Sequence, residues 1–412
     1  MKPSRAISQV RRGALCAGCG GCALAAPGKI AMEVSGDGYL RPRQLAEITP
    51  AEEQTIAQTC PGLVQEIEPA GREDNLLWGP YVAMYTGWAH EAHMRFAGSS
   101  GAALTAVLAH LLETGEVDGV LQVRADPERP VGNIVSVSRT RQEVLMAAGS
   151  RYAPSAPLAE MVDLLDGEER FAFVGKPCDV AALRALAQKD QRIDQRFPIM
   201  LSFYCGGVPS LQGADQVVRA LGKDPEQIAT FRYRGQGWPG RATATDPDGD
   251  AASMTYNESW GKILSRHVQH RCKICADGAG AAADIVCADA WETDDRGYPL
   301  FEEQDGVSLV VSRTDLGEKV VRSAEAAGTL ALEDFDVAAL TAIQRGQVWR
   351  RRGLWPRLLA LKLLGKPVPR YVGLQVREVM SLSSPKERAR NFLGTVKRVL
   401  MGRVGERNDP GA

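Results

Sequence analysis

Between residues 78 and 315 the apolar positions fall into short continuous runs separated by amphipathic stretches, a pattern of alternating strands and helices. "SSGAALTAVLAHLLETGEVDGVLQV" carries apolar residues at helical spacing. It predicts a helix capped near Ser99 or Ser100, stopped by Gly115, and then a strand at 119–123. "RFAFVGKPCDVAALRALAQ" predicts a strand at 170–174, a turn, and a helix from about Asp179. "FPIMLSFYCGGVPSLQGADQVVRALG" repeats that plan, with a strand at 198–204 and a helix from about Ser210, and "DGVSLVVSRT" adds a strand near 307–312. The fold class expected is α/β, a mixed and largely parallel sheet with flanking helices. Residues 1–75 read instead as loops and short elements around cysteines, and 316–412 as a helical, basic region, so the domains expected are 1–75, 76–315 and 316–412.

A chain of 412 residues exceeds what one hydrophobic core usually holds, in keeping with that division. No apolar run has signal-peptide length and no window offers the ~20 apolar residues of a membrane span, which predicts a cytoplasmic protein. The net charge of −1 conceals an asymmetry: from Arg345 to Arg403 there are fifteen Lys/Arg against Glu378 and Glu387, a net of +13, leaving −14 for the rest. The stretch "VWRRRGLWPRLLALKLLGKPVPRYVGL" interleaves arginines with Trp349, Trp355, Tyr371 and leucines. Such a segment can dock on the acidic body of its own chain, on another protein, or peripherally on an anionic membrane surface. Nothing in it resembles a nucleic-acid-binding fold.

The nine cysteines change the picture. In "LCAGCGGCALAAPGK", Cys16, Cys19 and Cys22 have the C-x2-C-x2-C spacing of bacterial ferredoxins, but Ala26 stands before Pro27 where a fourth cysteine belongs. "TCPG" restores the missing Cys-Pro pair with Cys60 and Pro61, which makes residues 1–75 a ferredoxin-like iron–sulfur segment with ligands for one [4Fe-4S]. Three thiolates separated by Ala and Gly suit a cubane, whereas structural zinc more often takes two separated pairs. Cys178, Cys205, Cys272 and Cys275 make a second set of four soft ligands, two at strand ends and two on one turn. Spacing alone leaves this set open between a second cluster and buried free thiols. Cys287 reads as a buried cysteine.

Helix starts in an α/β sheet also favour phosphate, and three segments offer the residues for it. "AGSSGAALTAVL" gives Ser99, Ser100 and Gly101; "AAGSRYAPS" gives Ser150, Arg151 and Tyr152; "VGKPC" gives Lys176. Together they form a candidate diphosphate site.

Taken in order, "SSGAALTAVLAHLLETGEVDGV", "AAGSRYAPS", "VGKPCDVAALR", "FYCGGVPS", "RYRGQGWPG", "RCKICADGAGAAADIVCADAW" and "DGVSLVVSRT" resemble the coenzyme F-420 hydrogenase/dehydrogenase beta-subunit family. That family also includes 7-hydroxymethyl chlorophyll a reductase and a divinyl chlorophyllide 8-vinyl reductase. The resemblance implies an oxidoreductase holding FAD beside a [4Fe-4S] cluster, the latter on Cys178, Cys205, Cys272 and Cys275. It puts FAD against Arg95, Ser99, Ser100, Gly101, Ser150, Arg151, Tyr152 and Lys176, with Asp284 and Asp289 near the cluster loop. Ala102 stands where many members have a second glycine. The route implied runs from ferredoxin or a similar carrier through two clusters and FAD to a small organic substrate or deazaflavin. The alternative is an electron-transfer subunit of a larger complex with no substrate of its own. No residue declares itself as the acid or base.

Overall fold

The computed structural model describes residues 1–291, 300 and 302–405, so the last residues of the basic region lie outside it. The amino-terminal part holds α1 (Arg5–Arg12), α2 (Gly21–Ala25), an antiparallel ribbon of β1 (Ile30–Val34) and β2 (Leu40–Gln44), and α3 (Pro50–Thr59). Thr49 and Glu52 close the start of α3 with a reciprocal capping box and Pro50 sits in its first turn, where no backbone donor is needed.

The body is one eight-stranded sheet. In chain order its elements are β3 (Ala83–Ala89), α4 (Ala103–Glu113), β4 (Gly119–Ala125), β5 (Asn133–Ser138), β6 (Phe171–Val174), α5 (Pro177–Ala187), β7 (Ile199–Phe203), α6 (Leu211–Ala220), β8 (Ile285–Asp289), β9 (Ser308–Ser312), α7 (Asp315–Ala326) and β10 (Leu330–Asp334). The spatial order is β10-β3-β9-β8-β7-β6-β4-β5. Its centre, β8-β7-β6-β4, is parallel. The outer pairings are antiparallel, which corrects the expectation of a largely parallel sheet. The reason is connection length: residues 126–132 between β4 and β5 are too few for a crossover, so that pair can only be a hairpin.

The central strands read as unbroken apolar runs because both their faces are covered. Phe173, Met200 and Val286 enter one core, while Ala172, Leu201 and Ile285 enter the other on the opposite face. Cys287 lies in this second core, paired between Phe203 and Val310.

Two helix starts differ from expectation. The first begins at Ala103 with Ala102 in the left-handed region at φ +55 and no side-chain cap, so neither Ser99 nor Ser100 caps it. Ser99 Oγ instead accepts from the Ser150 N–H at 2.5 Å, and Ser100 Oγ bonds Ser308 Oγ at 2.8 Å. The left-handed backbone at Ala102 is the conformation a glycine adopts without cost. The second, α5, starts at Pro177 rather than Asp179, which brings Cys178 into the helix's first turn. By contrast Ser210 caps α6 as its position implied, accepting from Gly213.

After the sheet, α8 (Arg345–Arg352), α9 (Leu354–Leu363) and α10 (Pro385–Leu400) wrap back over the cysteine loops. Val64–Glu66 pairs in parallel with Arg370–Val372, joining the two ends of the chain. The basic region therefore docks on its own protein, although its acceptors are mostly backbone carbonyls rather than carboxylates. Arg351 donates to the Ala276 and Leu76 carbonyls at 2.7 and 2.9 Å, Arg350 to the Cys205 carbonyl at 2.6 Å, and Arg357 to that of Lys273 at 2.9 Å. No described helix is long and apolar enough to cross a membrane.

Candidate functional site

The glycines of the first motif set its cysteine geometry. Gly20, at φ +84, lets the loop lie against the backbone of Ala159, which a side chain there would strike at 2.6 Å. The turn so formed points a backbone donor at sulfur: Gly21 N–H reaches Cys19 Sγ at 3.4 Å. Cys60 arrives from the end of α3, and Cys16, Cys19, Cys22 and Cys60 line one small cavity of about 30 Å³. The residue that breaks the ferredoxin pattern, Ala26, is fully buried in the adjoining apolar cluster. Burial, reinforced by the proximity of Cys16, pushes the Cys60 thiol up to about 11, and burial with the neighbouring thiols raises Cys19 and Cys22 as well.

The second set is assembled by topology. β6 and β7 are adjacent and parallel, so the segments after their carboxyl ends, carrying Cys178 and Cys205, share one edge of the sheet. Cys272 belongs to the short helix His270–Lys273 and Cys275 follows it. Val208 N–H meets Cys272 Sγ at 3.4 Å, and the Cys275 thiol donates to the Asp277 carbonyl at 3.2 Å. Burial and then Cys272 push Cys205 up to about 12, with Arg350 opposing. Cys178 is raised by burial and by Asp179, with smaller contributions from Cys205 and from Cys19 of the first set. The two sets are therefore neighbours.

Two buried side chains occupy the ground between them. Gln269 bonds the Ala17 carbonyl of the first loop at 3.3 Å and Cys272 Sγ at 3.5 Å through one nitrogen, and accepts from Arg41 at 2.9 Å. Arg271, 2% exposed, donates to the Pro61 carbonyl next to Cys60 at 2.8 Å and lies over the Tyr371 ring. Its Nε and Nη1 have no hydrogen-bond partner among the described residues. Buried donors of this kind ordinarily find an acceptor. Neither residue was singled out by spacing; the arginine stands in "RCKIC", and only the fold shows that it faces both sets.

These observations fit two polynuclear clusters. Eight soft ligands lie in two groups of four, Cys16 and Cys19 buried and the other six half-buried, a backbone N–H is directed at sulfur in each group, and the thiols that burial holds neutral, Cys19, Cys22, Cys60, Cys178 and Cys205, are ones that a bound cation would deprotonate. Among the described residues no three His, Cys, Asp or Glu form a group that could hold a single metal ion.

The phosphate candidates divide. Ser99 and Ser150 meet through the bond already described, and Gly101 lies against the β3 backbone, where a Cβ would come 2.6 Å from the Gly87 carbonyl. Arg95 donates to the Gly306 carbonyl at 2.8 Å and covers the Trp88 ring. Arg151 is turned to protein acceptors, the carbonyls of Pro130, Gly132 and Phe231 and the side chain of Asn133. Lys176 is buried against Ser155 and Asp179, beside Cys178 rather than beside the serines. Tyr152 packs on Tyr233 and Trp260. Asp284 is a buried clamp on the Met200 N–H, Arg184 and Thr314.

What sequence reasoning missed are the partners of Asp289, which lie in "RYRGQGWPG" and after it. Asp289, at the end of β8, receives Arg234 through two bonds of 2.9 and 2.6 Å and the Trp238 indole at 2.8 Å. Trp238 stacks on Trp291, which stacks on Tyr256, so an aromatic wall stands at the ligand edge of the sheet. Arg232 is half-buried beside the Ala97 carbonyl and Gly149, with no carboxylate partner among the described residues; burial lowers its proton affinity. An uncompensated guanidinium next to Ser99 and the left-handed Gly149 fits an anionic phosphate group.

Comparison with known proteins gives a family and a fold likeness. Two family models described as "Coenzyme F420 hydrogenase/dehydrogenase, beta subunit" match the chain, the amino-terminal one over residues 84–163 and the carboxyl-terminal one over 168–338. The chain is 26% identical to the coenzyme F420 hydrogenase subunit beta of Methanococcus voltae, over 71% of this chain and 99% of that one. It is 23% identical to the coenzyme F420-dependent sulfite reductase of Methanocaldococcus jannaschii, over 84% of this chain and 52% of the relative. With the chloroplastic 7-hydroxymethyl chlorophyll a reductase of Oryza sativa subsp. japonica it shares 22% identity, over 69% and 57%. A chain from the F420-reducing [NiFe] hydrogenase complex of Methanosarcina barkeri superposes with a TM-score of 0.51 at 19% identity, over 82% of this chain and all of that one. That likeness is one of fold.

Proposed function

This chain belongs to the coenzyme F420 hydrogenase/dehydrogenase beta-subunit family, and on that premise we propose that it is an iron–sulfur flavoprotein oxidoreductase. Its named relatives are redox enzymes or subunits of them, which supports electron transfer as its task. In this reading Cys16, Cys19, Cys22 and Cys60 would hold one [4Fe-4S] cluster and Cys178, Cys205, Cys272 and Cys275 a second. FAD would lie along Ser99, Ser100, Gly101, Ser150 and Arg232. When bound, the clusters supply one-electron relay and the flavin two-electron chemistry at a substrate or deazaflavin.

The protein's own contribution is placement. The sheet edge fixes Cys178 and Cys205, Gln269 ties the first loop to Cys272, and Arg271 sets a positive charge between groups that gain electrons. The wall of Trp238, Tyr256 and Trp291 offers apolar area to a ring, with Arg234 and Asp289 holding it rigid. The observation that carries the reading is the adjacency of the two sets, bridged by one Gln269 nitrogen that bonds both the Ala17 carbonyl and Cys272 Sγ.

Anaerobic purification with quantification of iron, sulfide, zinc and flavin tests it. About eight irons and one FAD per chain are expected. Four irons, stoichiometric zinc, or FMN alone would overturn it.

A second reading, an electron-transfer subunit of a larger assembly, is favoured by a particular surface. Along α10, Ala389, Leu393 and Leu400 are exposed on one side with Val396 half-buried among them, an apolar stripe on a basic helix. An acidic carrier such as ferredoxin is the electron donor proposed in either case.

A further inference from the structure

A cavity of about 1230 Å³ lies between the carboxyl-terminal helices and the loop that carries Cys272. It belongs to neither the cysteine sets nor the nucleotide loops. Arg266, Lys273, Arg357, Arg390, Arg398 and Arg403 line it, together with Arg352, and the only acids in its described wall are Asp37 and Glu387. Glu387 is paired with Arg352 at 3.0 Å. Arg357 shows how little compensation there is. Burial and then the charges of Arg398 and Arg350 hold its guanidinium down at about 10, and its bonds go to Asn391 and a carbonyl.

Two buried residues, Gln269 and Ile274, are part of its lining. Gln269 is the residue that touches both cysteine loops, so the cleft ends one side chain away from each set. Trp349, 59% exposed, stands on its wall as an apolar contact. A cleft of this size and polarity exceeds the usual small-molecule pocket and suits a protein surface.

We propose that this basic cleft is the docking surface for an acidic one-electron carrier protein, seated on α10 and the 266–274 loop so that its centre faces Gln269. The proposal rests on the reading that electrons pass through the cysteine sets. It requires no bond to form or break: the reduced carrier loses one electron and this chain gains one. Tunnelling falls steeply with distance, and a carrier seated here would stand against Gln269, which touches both cysteine loops. Opposite charge supplies the encounter rate and the orientation.

The test uses the full chain as isolated anaerobically and a small acidic [2Fe-2S] ferredoxin as the probe. The variant is Arg266→Glu/Arg390→Glu/Arg403→Glu, three solvent-exposed side chains with no described side-chain bond. Stopped-flow mixing with reduced ferredoxin at about 50 mM salt should give a second-order rate constant at least roughly tenfold lower in the variant. The wild-type rate should fall steeply as salt rises and the variant's should not. Bleaching by dithionite, which needs no docking, serves as the control for intact cofactors. Calorimetric titration with oxidised ferredoxin reads docking whether or not the chain carries iron, so a failure of the cluster assignment is distinguishable from a failure of this one. Equal rates and equal affinities in the two proteins would overturn the proposal. So would sedimentation of the wild type, but not the variant, with phosphatidylserine vesicles while ferredoxin rates stay equal, since the cleft would then be a membrane contact.

Discussion

The two cysteine sets have the same ligands in the same number and are built in opposite ways. Cys16, Cys19 and Cys22 fall within seven consecutive positions, and their geometry follows from Gly18 and Gly20 turning the chain between them. Cys178, Cys205, Cys272 and Cys275 come from three separate places, and nothing local relates them. They meet because β6 and β7 are parallel neighbours and because the tail presses the 272–275 loop onto the strand ends. A site written into a loop can be lost without the fold noticing, whereas a site written into topology is part of what the fold holds together.

That contrast is broken most directly by removing one ligand from each set. Cys205→Ser should lower iron from about eight to about four per chain. It should also lower the thermal midpoint and flavin retention, because its neighbours are strand end, loop and tail at once. Cys60→Ser should lose as much iron while keeping the second cluster and the flavin. It should accept electrons poorly from ferredoxin. Iron analysis, flavin fluorescence after heat release and a thermal melt read all of this; equal collapse of both variants would mean that the sets are not separable.

A smaller effect sharpens the comparison. Arg271 faces both sets, so Arg271→Gln should leave iron content intact and move both midpoint potentials downward, on the order of tens of millivolts. Removing a buried positive charge makes an added electron less favourable. Potentiometric titration followed by electron paramagnetic resonance checks it, and unchanged potentials would reduce Arg271 to a packing residue. The smallest change expected is at the nucleotide loops. Ser99→Ala removes the acceptor of the Ser150 N–H, a loss of about 1 kcal/mol, and should weaken FAD binding roughly fivefold with no change in iron. Titration of deflavinated protein with FAD measures it.

How much of this could be read from the residues follows the same line. The first set was legible because spacing is a property of sequence, and Cys60 because a Cys-Pro pair was missing and one was found. The strands near 119–123, 170–174 and 198–204 were legible because buried parallel strands are apolar on both faces, and β9 because it too is covered on both faces although its pairings are antiparallel. The antiparallel flanks were not, since β3 enters the sheet between β9 and β10 without any local sign of its neighbours. Arg271, Gln269 and Arg234 stayed silent because a charged or amide residue looks the same whether it faces solvent or a buried partner. Docking of the tail on its own chain was one of three expectations left open, and the force behind it was misread. Carbonyl groups of Leu76, Cys205, Lys273 and Ala276 receive the arginines, and a backbone acceptor leaves no mark in composition.

The parallel pairing of Val64–Glu66 with Arg370–Val372 has a consequence for the order of events during synthesis. The Arg370 N–H donates to the Leu63 carbonyl at 2.8 Å, and the Ile67 N–H to that of Val372 at 3.1 Å, so the segment leading out of Cys60 takes its final position only once residue 372 has left the ribosome. The intervening chain must first form its own sheet, and closing so long a loop is slow. Cys60 is therefore made well before the partner strand that fixes the segment following it. Until that pairing forms, the fourth member of the first set stays free to move while its three companions are already held by their own turn.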